Sequence, residues 1–357
     1  MNIEEIGISE LRLPEESNEG PLALIALHDR SGNRGVGCIA ATPLRVKEML
    51  RGLSAVIETL DVSRLGSWLS PLSAAVGRRS ELAVMLPGLD LALCDLHARQ
   101  RGTALGVLLG GSADASWPAF ARLPLSQVAL RESRLERLWS HGFRAFLLEC
   151  DTRLDIDEIA RLRARLGAET RLAIDARGCA EDDLASTCAA LAELGVDWLE
   201  PPLVANDLAR HVEFSRRSSV AIAAPSGMAG WVNYLALSER SVPGLYRPNL
   251  LGGCGPSALL GIGCRAMAGG NRLVPVALPS WLGLAAQLHF SAALGAVKAI
   301  ECAAAVGVER RGLDWRATLP GLDASGRVSL PTGPGLGRDP GGNGETSRVW
   351  HRLALAV

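Results

Sequence analysis

Lysine is almost missing from this chain: Lys47 and Lys298 are the only two among 37 basic residues. The rest are arginines, which stay protonated at ordinary pH and cannot replace lysine as a general base. An excess of either charge is missing as well. The formal net charge is −1, so nothing in the balance draws the protein to nucleic acid or to an anionic membrane surface. No run of about 20 apolar residues is free of charges and breakers. The opening "MNIEEIGISE" is acidic and lacks the apolar stretch of a signal peptide. The expectation is a cytoplasmic protein with no membrane and no nucleic-acid partner. The eight cysteines form no CxxC pair and sit near no histidine cluster. Neither a zinc site nor a small disulfide framework follows from them, and they are expected to be reduced thiols.

What is present is ordinary for a globular protein, with 48% hydrophobic and 21% charged residues. A chain of 357 residues buries a large core, as one big domain or two. The first forty residues read as a β-hairpin, "PLALIALHD" and "RGVGCIAA" about the turn "RSGN". Residues 43 to 110 read as helical, with a kink or break expected at Pro87. From about 118, short apolar strands alternate with amphipathic helices, as in "FRAFLLE" followed by "DIDEIARLRARLG". Such repeats predict an α/β fold built on a parallel sheet.

The strand ends are evenly spaced. Glu149, Asp175, Glu200 and Ser226 follow one another at intervals of 26, 25 and 26 residues. That is the period of a barrel in which each βα unit presents one residue at the catalytic mouth. Acids that only capped the next helix would explain one position, not the series.

Together with several flanking motifs, these strand ends resemble the enolase superfamily, in its muconate-lactonizing and o-succinylbenzoate synthase branch. "SGNRGVG" resembles the family's DGxxGxGE hairpin, with Cys38 at the acid's place. "LALCDLHARQRGTALGVLLGG" resembles its capping-domain helix, and "LYRPNLLGGCGPSALL" its KPxxxGG strand and loop. "LPSWLGLAAQLHFSAAL" and "PTGPGLG" resemble the two closing segments. The resemblance implies a modified (β/α)7β TIM-like barrel over residues 116–325. An α+β capping domain over 1–115 would be completed by the tail, 326–357. It also implies a small-molecule substrate and a homo-oligomer, dimer or larger.

Members of that family abstract a proton beside a carboxylate and stabilise the enolate on magnesium. By resemblance, the first two metal ligands fall on Asp175 and Glu200, and the third on Ser226, which follows Pro225. The family's Lys-x-Lys falls on Leu147 and Glu149, its next lysine on Arg247, and an acid on Pro279, beside Ser280. No cofactor is therefore expected; if an ion binds, it is magnesium on Glu149, Asp175 and Glu200. Strand alternation turns Arg177 to the same face as Asp175, where its charge stands in for the metal. Uncompensated acids this close would raise one another's pKa, leaving one protonated as a general acid.

The catalytic candidates are thus Glu149, Asp175, Arg177, Glu200, Arg247 and Tyr246. Substrate-binding candidates are Ser226, Ser280 with Gly283 at a helix N-terminus, and Glu15 and Glu16 in a capping loop. Three readings stand: a metal-independent lyase, isomerase or cyclase acting on a small carboxylate, a ligand-binding pseudoenzyme, and a magnesium-dependent dehydratase of the o-succinylbenzoate synthase type.

Overall fold

The computed structural model describes residues 3–11, 20–77, 80–151, 154–179, 184–224, 230–240, 244–250, 255–276, 280–295, 297–302, 322–337 and 351–354. The chain opens with three strands, β1 (Ile3–Leu11), β2 (Leu22–Asp29) and β3 (Arg34–Ile39). The β2–β3 turn is pinned by Asp29, whose Oδ1 accepts the Ser31 and Asn33 amides at 2.9 Å each. That is the hairpin the sequence predicts. Helices α1 (Pro43–Arg51), α2 (Ser54–Ile57), α3 (Leu69–Val76), α4 (Met85–Gln100) and α5 (Leu105–Leu108) follow.

Pro87 does not break α4. It lies in the first turn, where a missing N–H costs no helical hydrogen bond, so it marks the start of the helix. Glycines let α4 lie directly on β3. A Cβ on Gly37 would sit 1.9 Å from the Gly88 carbonyl oxygen, and one on Gly35 2.2 Å from that of Ala92. The repeated glycine of "RGVG" is thus a packing surface for α4.

The second half alternates strands with helices. Strands β4 (Ser116–Pro124), β5 (Ala145–Glu149), β6 (Arg171–Asp175) and β7 (Val196–Glu200) alternate with helices α6 (Val128–Ser140), α7 (Ile156–Leu166) and α8 (Leu184–Glu193). Then come α9 (Leu208–Arg217), β8 (Ala223–Ala224), α10 (Gly230–Glu239), β9 (Leu245–Tyr246), α11 (Pro256–Ala268), β10 (Arg272–Leu273), α12 (Trp281–Ala292) and β11 (Ile300–Glu301). Strand β12 (Arg327–Ser329) pairs antiparallel with β4, and β13 (His351–Ala354) pairs with β1.

The parallel pairings run β11-β4-β5-β6-β7 and β10-β9-β8. Single parallel bridges, Leu199 to Ile222 and Leu273 to Val297, join the two sets, so the pairing returns to where it starts. The α/β class and the parallel sheet expected from the βα texture are what the chain forms.

The core divides accordingly. One buried cluster lies inside the strands and includes Phe120, Leu147, Ala173, Trp198 and Leu245. The larger one fills the space between strands, helices and the N-terminal sheet. Among the described residues no helix is long and apolar enough to cross a membrane.

Candidate functional site

Register places the acids side by side. Glu149 pairs with Asp175, and Asp175 with Glu200, at the C-terminal ends of β5, β6 and β7. They are not helix caps: α7 is capped by Asp155, which accepts the Glu158 amide at 3.0 Å. Alternation turns all three inward, above the apolar interior cluster.

Three guanidinium groups meet them. Arg122, near the end of β4, places Nη1 2.8 Å from Glu149 Oε1 and 3.1 Å from Asp175 Oδ2, and its Nε bonds Glu301 on β11. Arg177 places Nη2 2.6 Å from Asp175 Oδ2 and Nε 3.0 Å from Glu200 Oε2. Arg247, following β9, bonds Glu200 through Nη1 and Glu301 through Nη2. Charges therefore alternate around a closed ring: Arg122, Asp175, Arg177, Glu200, Arg247, Glu301 and back to Arg122. Glu149 hangs from Arg122 outside the closed path.

Burial grades the members. Arg247 and Glu200 are fully buried, and Asp175 and Glu301 nearly so. The side chains of Glu149 and Arg177 are 41% and 39% exposed and face the mouth. Arg247 therefore lies below the mouth and supports the ring from there, deeper than the expectation placed it. Its Nε has no hydrogen-bond partner among the described residues, and its guanidinium carbon lies 4.8 Å over the Trp198 ring.

Two of the carboxylates, Asp175 and Glu301, are held ionised. Burial pushes the Asp175 carboxyl up, but hydrogen bonds and charge from Arg177, with the Arg122 charge, bring it to about 2. Burial likewise raises Glu301, and Arg122 and Arg247 hold it below the usual carboxylate range. Burial draws Arg247 down to about 10 despite the Glu301 charge. The expected shared proton is thus not found on Asp175: the cations remove the repulsion that would raise its pKa.

Other expected residues lie elsewhere. Tyr246 points away from the mouth, its ring 5.9 Å from that of Tyr234 on α10, and burial pushes its hydroxyl to about 12. It follows from alternation with Arg247, whose side chain takes the inward face. Ser280 and Gly283 are spent on each other: the Ser280 hydroxyl accepts the Gly283 amide at 3.0 Å and caps α12. That bond takes up the Gly283 amide, which is no longer free for a substrate carboxylate. Ser226, Glu15 and Glu16 lie outside the described residues. His289 is buried as expected, its Nδ1 accepting the Gly106 amide at 3.0 Å.

Arg122 and Glu301 are the members the sequence reading missed. A signal existed: Arg122 precedes Glu149 by 27 residues, and Glu301 follows Arg247 by 54, twice that interval. The strand-end period extends one unit back and two units forward.

The family described as "Enolase C-terminal domain-like" matches residues 130–341. D-galactarolactone cycloisomerase of Agrobacterium fabrum is 28% identical over 275 residues, 73% of this chain and 72% of that protein. A racemase from Streptomyces coelicolor, solved with bound magnesium, superposes with a TM-score of 0.77 at 21% identity, covering 94% of this chain and 96% of its own. L-talarate dehydratase from Polaromonas sp. JS666, solved with magnesium and L-glucarate, gives 0.78 at 20% identity, with 99% of each chain covered.

Both of those structures hold magnesium, which overturns the expectation of no cofactor for this chain. The described residues of this chain do not fit the ion as they stand. Arg122 Nη1 lies between Glu149 and Asp175, and Arg177 spans Asp175 and Glu200. No group of three His, Cys, Asp or Glu is arranged to hold a metal among the described residues. Hard divalent ions need several free oxygens, and here those oxygens face guanidinium groups.

Proposed function

The chain belongs to the enolase superfamily, and on that premise we propose that it is an isomerase or lyase acting on a small carboxylate-bearing metabolite. The observation that carries the reading is the pendant Glu149, an exposed carboxylate at the barrel mouth beside the exposed guanidinium of Arg177. Cycloisomerase, racemase and dehydratase reactions, the activities of the relatives named above, share one requirement. A proton beside a carboxylate is removed, then returned or replaced by loss of a group.

Glu149 is the group placed to take that proton. Its neighbours Asp175 and Glu301 are held ionised by the arginines they pair with, whereas Glu149 meets the mouth directly. Arg177 faces the same space and neutralises charge developing on the substrate oxygens. A cation fixed beforehand by Asp175 and Glu200 does this without reorganising during the reaction. With Glu149, pendant from the ring, as the acid–base group, proton removal and proton return take place on one face of the substrate. A syn elimination, or a ring closure on that face, is the outcome.

The substrate class has two leads. The relatives' names point to sugar acids and their lactones. The motifs "LYRPNLLGG" and "PSWLGLAAQLHFSAAL" point to a hydroxy acid that loses water to give o-succinylbenzoate.

The test is proton–deuterium exchange in D2O followed by NMR, with magnesium present, over a panel holding both classes. Exchange beside the carboxylate of at least one member is expected, with Glu149→Gln slower by about 10²–10⁴, the range for a positioned acid–base group. Exchange from no member, or at an unchanged rate in Glu149→Gln, would remove the reading.

A further inference from the structure

The opposite end of the barrel carries its own charged pocket. Arg171 opens β6 and Arg272 opens β10, both one alternation below inward-facing residues of the interior cluster, Ala173 and Val274. Lys298, one of the chain's two lysines, stands just ahead of β11. These cations line a small pocket that opens to solvent. Its inner wall includes Trp198, and small alanines leave the strand ends unfilled.

The charge in this pocket is unbalanced. Among the described residues Asp197 is its one carboxylate, and it is taken by Arg171 at 2.7 Å. Arg272 reaches only the Asp197 carbonyl oxygen, at 3.4 Å. Lys298 has no partner among the described residues, so two positive charges face the pocket without an anion. Guanidinium and ammonium groups converging on a partly enclosed, apolar-walled space bind an oxyanion through charge-assisted hydrogen bonds. Two uncompensated charges match a dianion better than a monocarboxylate.

We infer that the N-terminal end of the barrel is a binding site for a phosphate dianion, held by Arg272 and Lys298 with Arg171 beside them. The site is separate from the mouth. Trp198 lies between the two, lining the pocket while Arg247 of the ring packs on its indole. That position makes Trp198 a reporter for the site.

The experiment titrates inorganic phosphate into the full chain at constant ionic strength kept with sodium chloride, read by calorimetry and by tryptophan fluorescence. Saturable binding is expected. Arg272→Gln and Lys298→Gln should each weaken it about tenfold, the loss of one charge-assisted contact. Trp198→Phe should remove the fluorescence response, and Arg177→Gln should leave phosphate affinity unchanged. Lys298 is exposed, so its replacement leaves the core intact and the comparison interpretable. Absence of saturable binding would overturn the inference. So would binding that survives both Arg272→Gln and Lys298→Gln but is lost in Arg177→Gln, which would place the anion at the mouth.

Discussion

Arg122 holds Glu149 by a 2.8 Å contact that is the only ion pair Glu149 makes among the described residues. The closed part of the ring does not pass through Glu149. Replacing it with glutamine should therefore change stability by no more than about 1 kcal/mol, the worth of a half-exposed pair. Activity and stability should separate: turnover lost, urea midpoint nearly unchanged. A large fall in the midpoint would mean that Glu149 is a structural member after all.

Arg247 should behave in the opposite way. It is fully buried between Glu200 and Glu301, and Arg247→Met leaves two buried carboxylates facing each other. Removing one partner of a buried pair costs about 3–5 kcal/mol. Urea denaturation measures this directly, and a loss under about 1 kcal/mol would contradict the tight ring described above.

The ring also sets a pH dependence. Asp175 has a folded pKa of about 2 against an ordinary 3.8, so the folded state binds its proton less readily than the unfolded state. The stability this supplies is complete above 3.8 and is lost as pH falls toward 2, about 2 kcal/mol in all. Glu301 acts in the same direction. Asp95, on the buried face of α4, acts in reverse: burial raises it to about 6 despite Arg99 and the amides of Leu336 and Val36. Its contribution is present below 3.8 and lost as pH rises through 6. Denaturation at pH 3, 5 and 7 should show Asp175→Asn losing less stability on acidification than the wild type.

Magnesium and Arg177 compete for the same oxygens. A unit charge about 4 Å from another costs about 4 kcal/mol of repulsion at an effective dielectric of 20, and a divalent ion feels more. Calorimetric titration should find magnesium bound at least about tenfold tighter by Arg177→Gln than by the wild type. Equal affinities would show that Arg177 moves aside without cost when the ion enters.

A fifth prediction concerns the N-terminal layer. Gly37→Ala would drive a methyl group to 1.9 Å from the Gly88 carbonyl oxygen, and neither backbone can retreat without parting β3 from α4. The expected loss is about 3 kcal/mol or more, read as a lower melting temperature. Gly32 makes a fair control, since a Cβ there meets nothing within 4 Å, although its φ of +81° leaves a smaller conformational cost.

Much of this was legible in the residues. The alternation of apolar strands and amphipathic helices gave the parallel sheet, and the period of Glu149, Asp175 and Glu200 gave their common face, because both are local patterns. Arg122 escaped because it sits two residues before the end of β4 and reaches upward along a flexible side chain. Glu301 escaped because β11 spans only Ile300–Glu301, too short to show alternation. Tyr246 was misplaced by one residue, which on a strand is the difference between two faces. The pKa directions were not legible at all. They depend on which cation lies within 3 Å of which acid, and spacing alone does not say that.

The pair formed by Arg122 and Glu301 joins residues 179 positions apart, the first long strand of the barrel to its last. Neither can be satisfied until every intervening βα unit has taken its place. Contacts that far apart are slow to form, and the ring closes only in the event that docks the last strand. Before that event Arg122 is left with Glu149 and Asp175 alone, and Arg247 with Glu200. A chain interrupted before residue 300 would carry the same arginines without the acid that links them, and so could not complete its own interior.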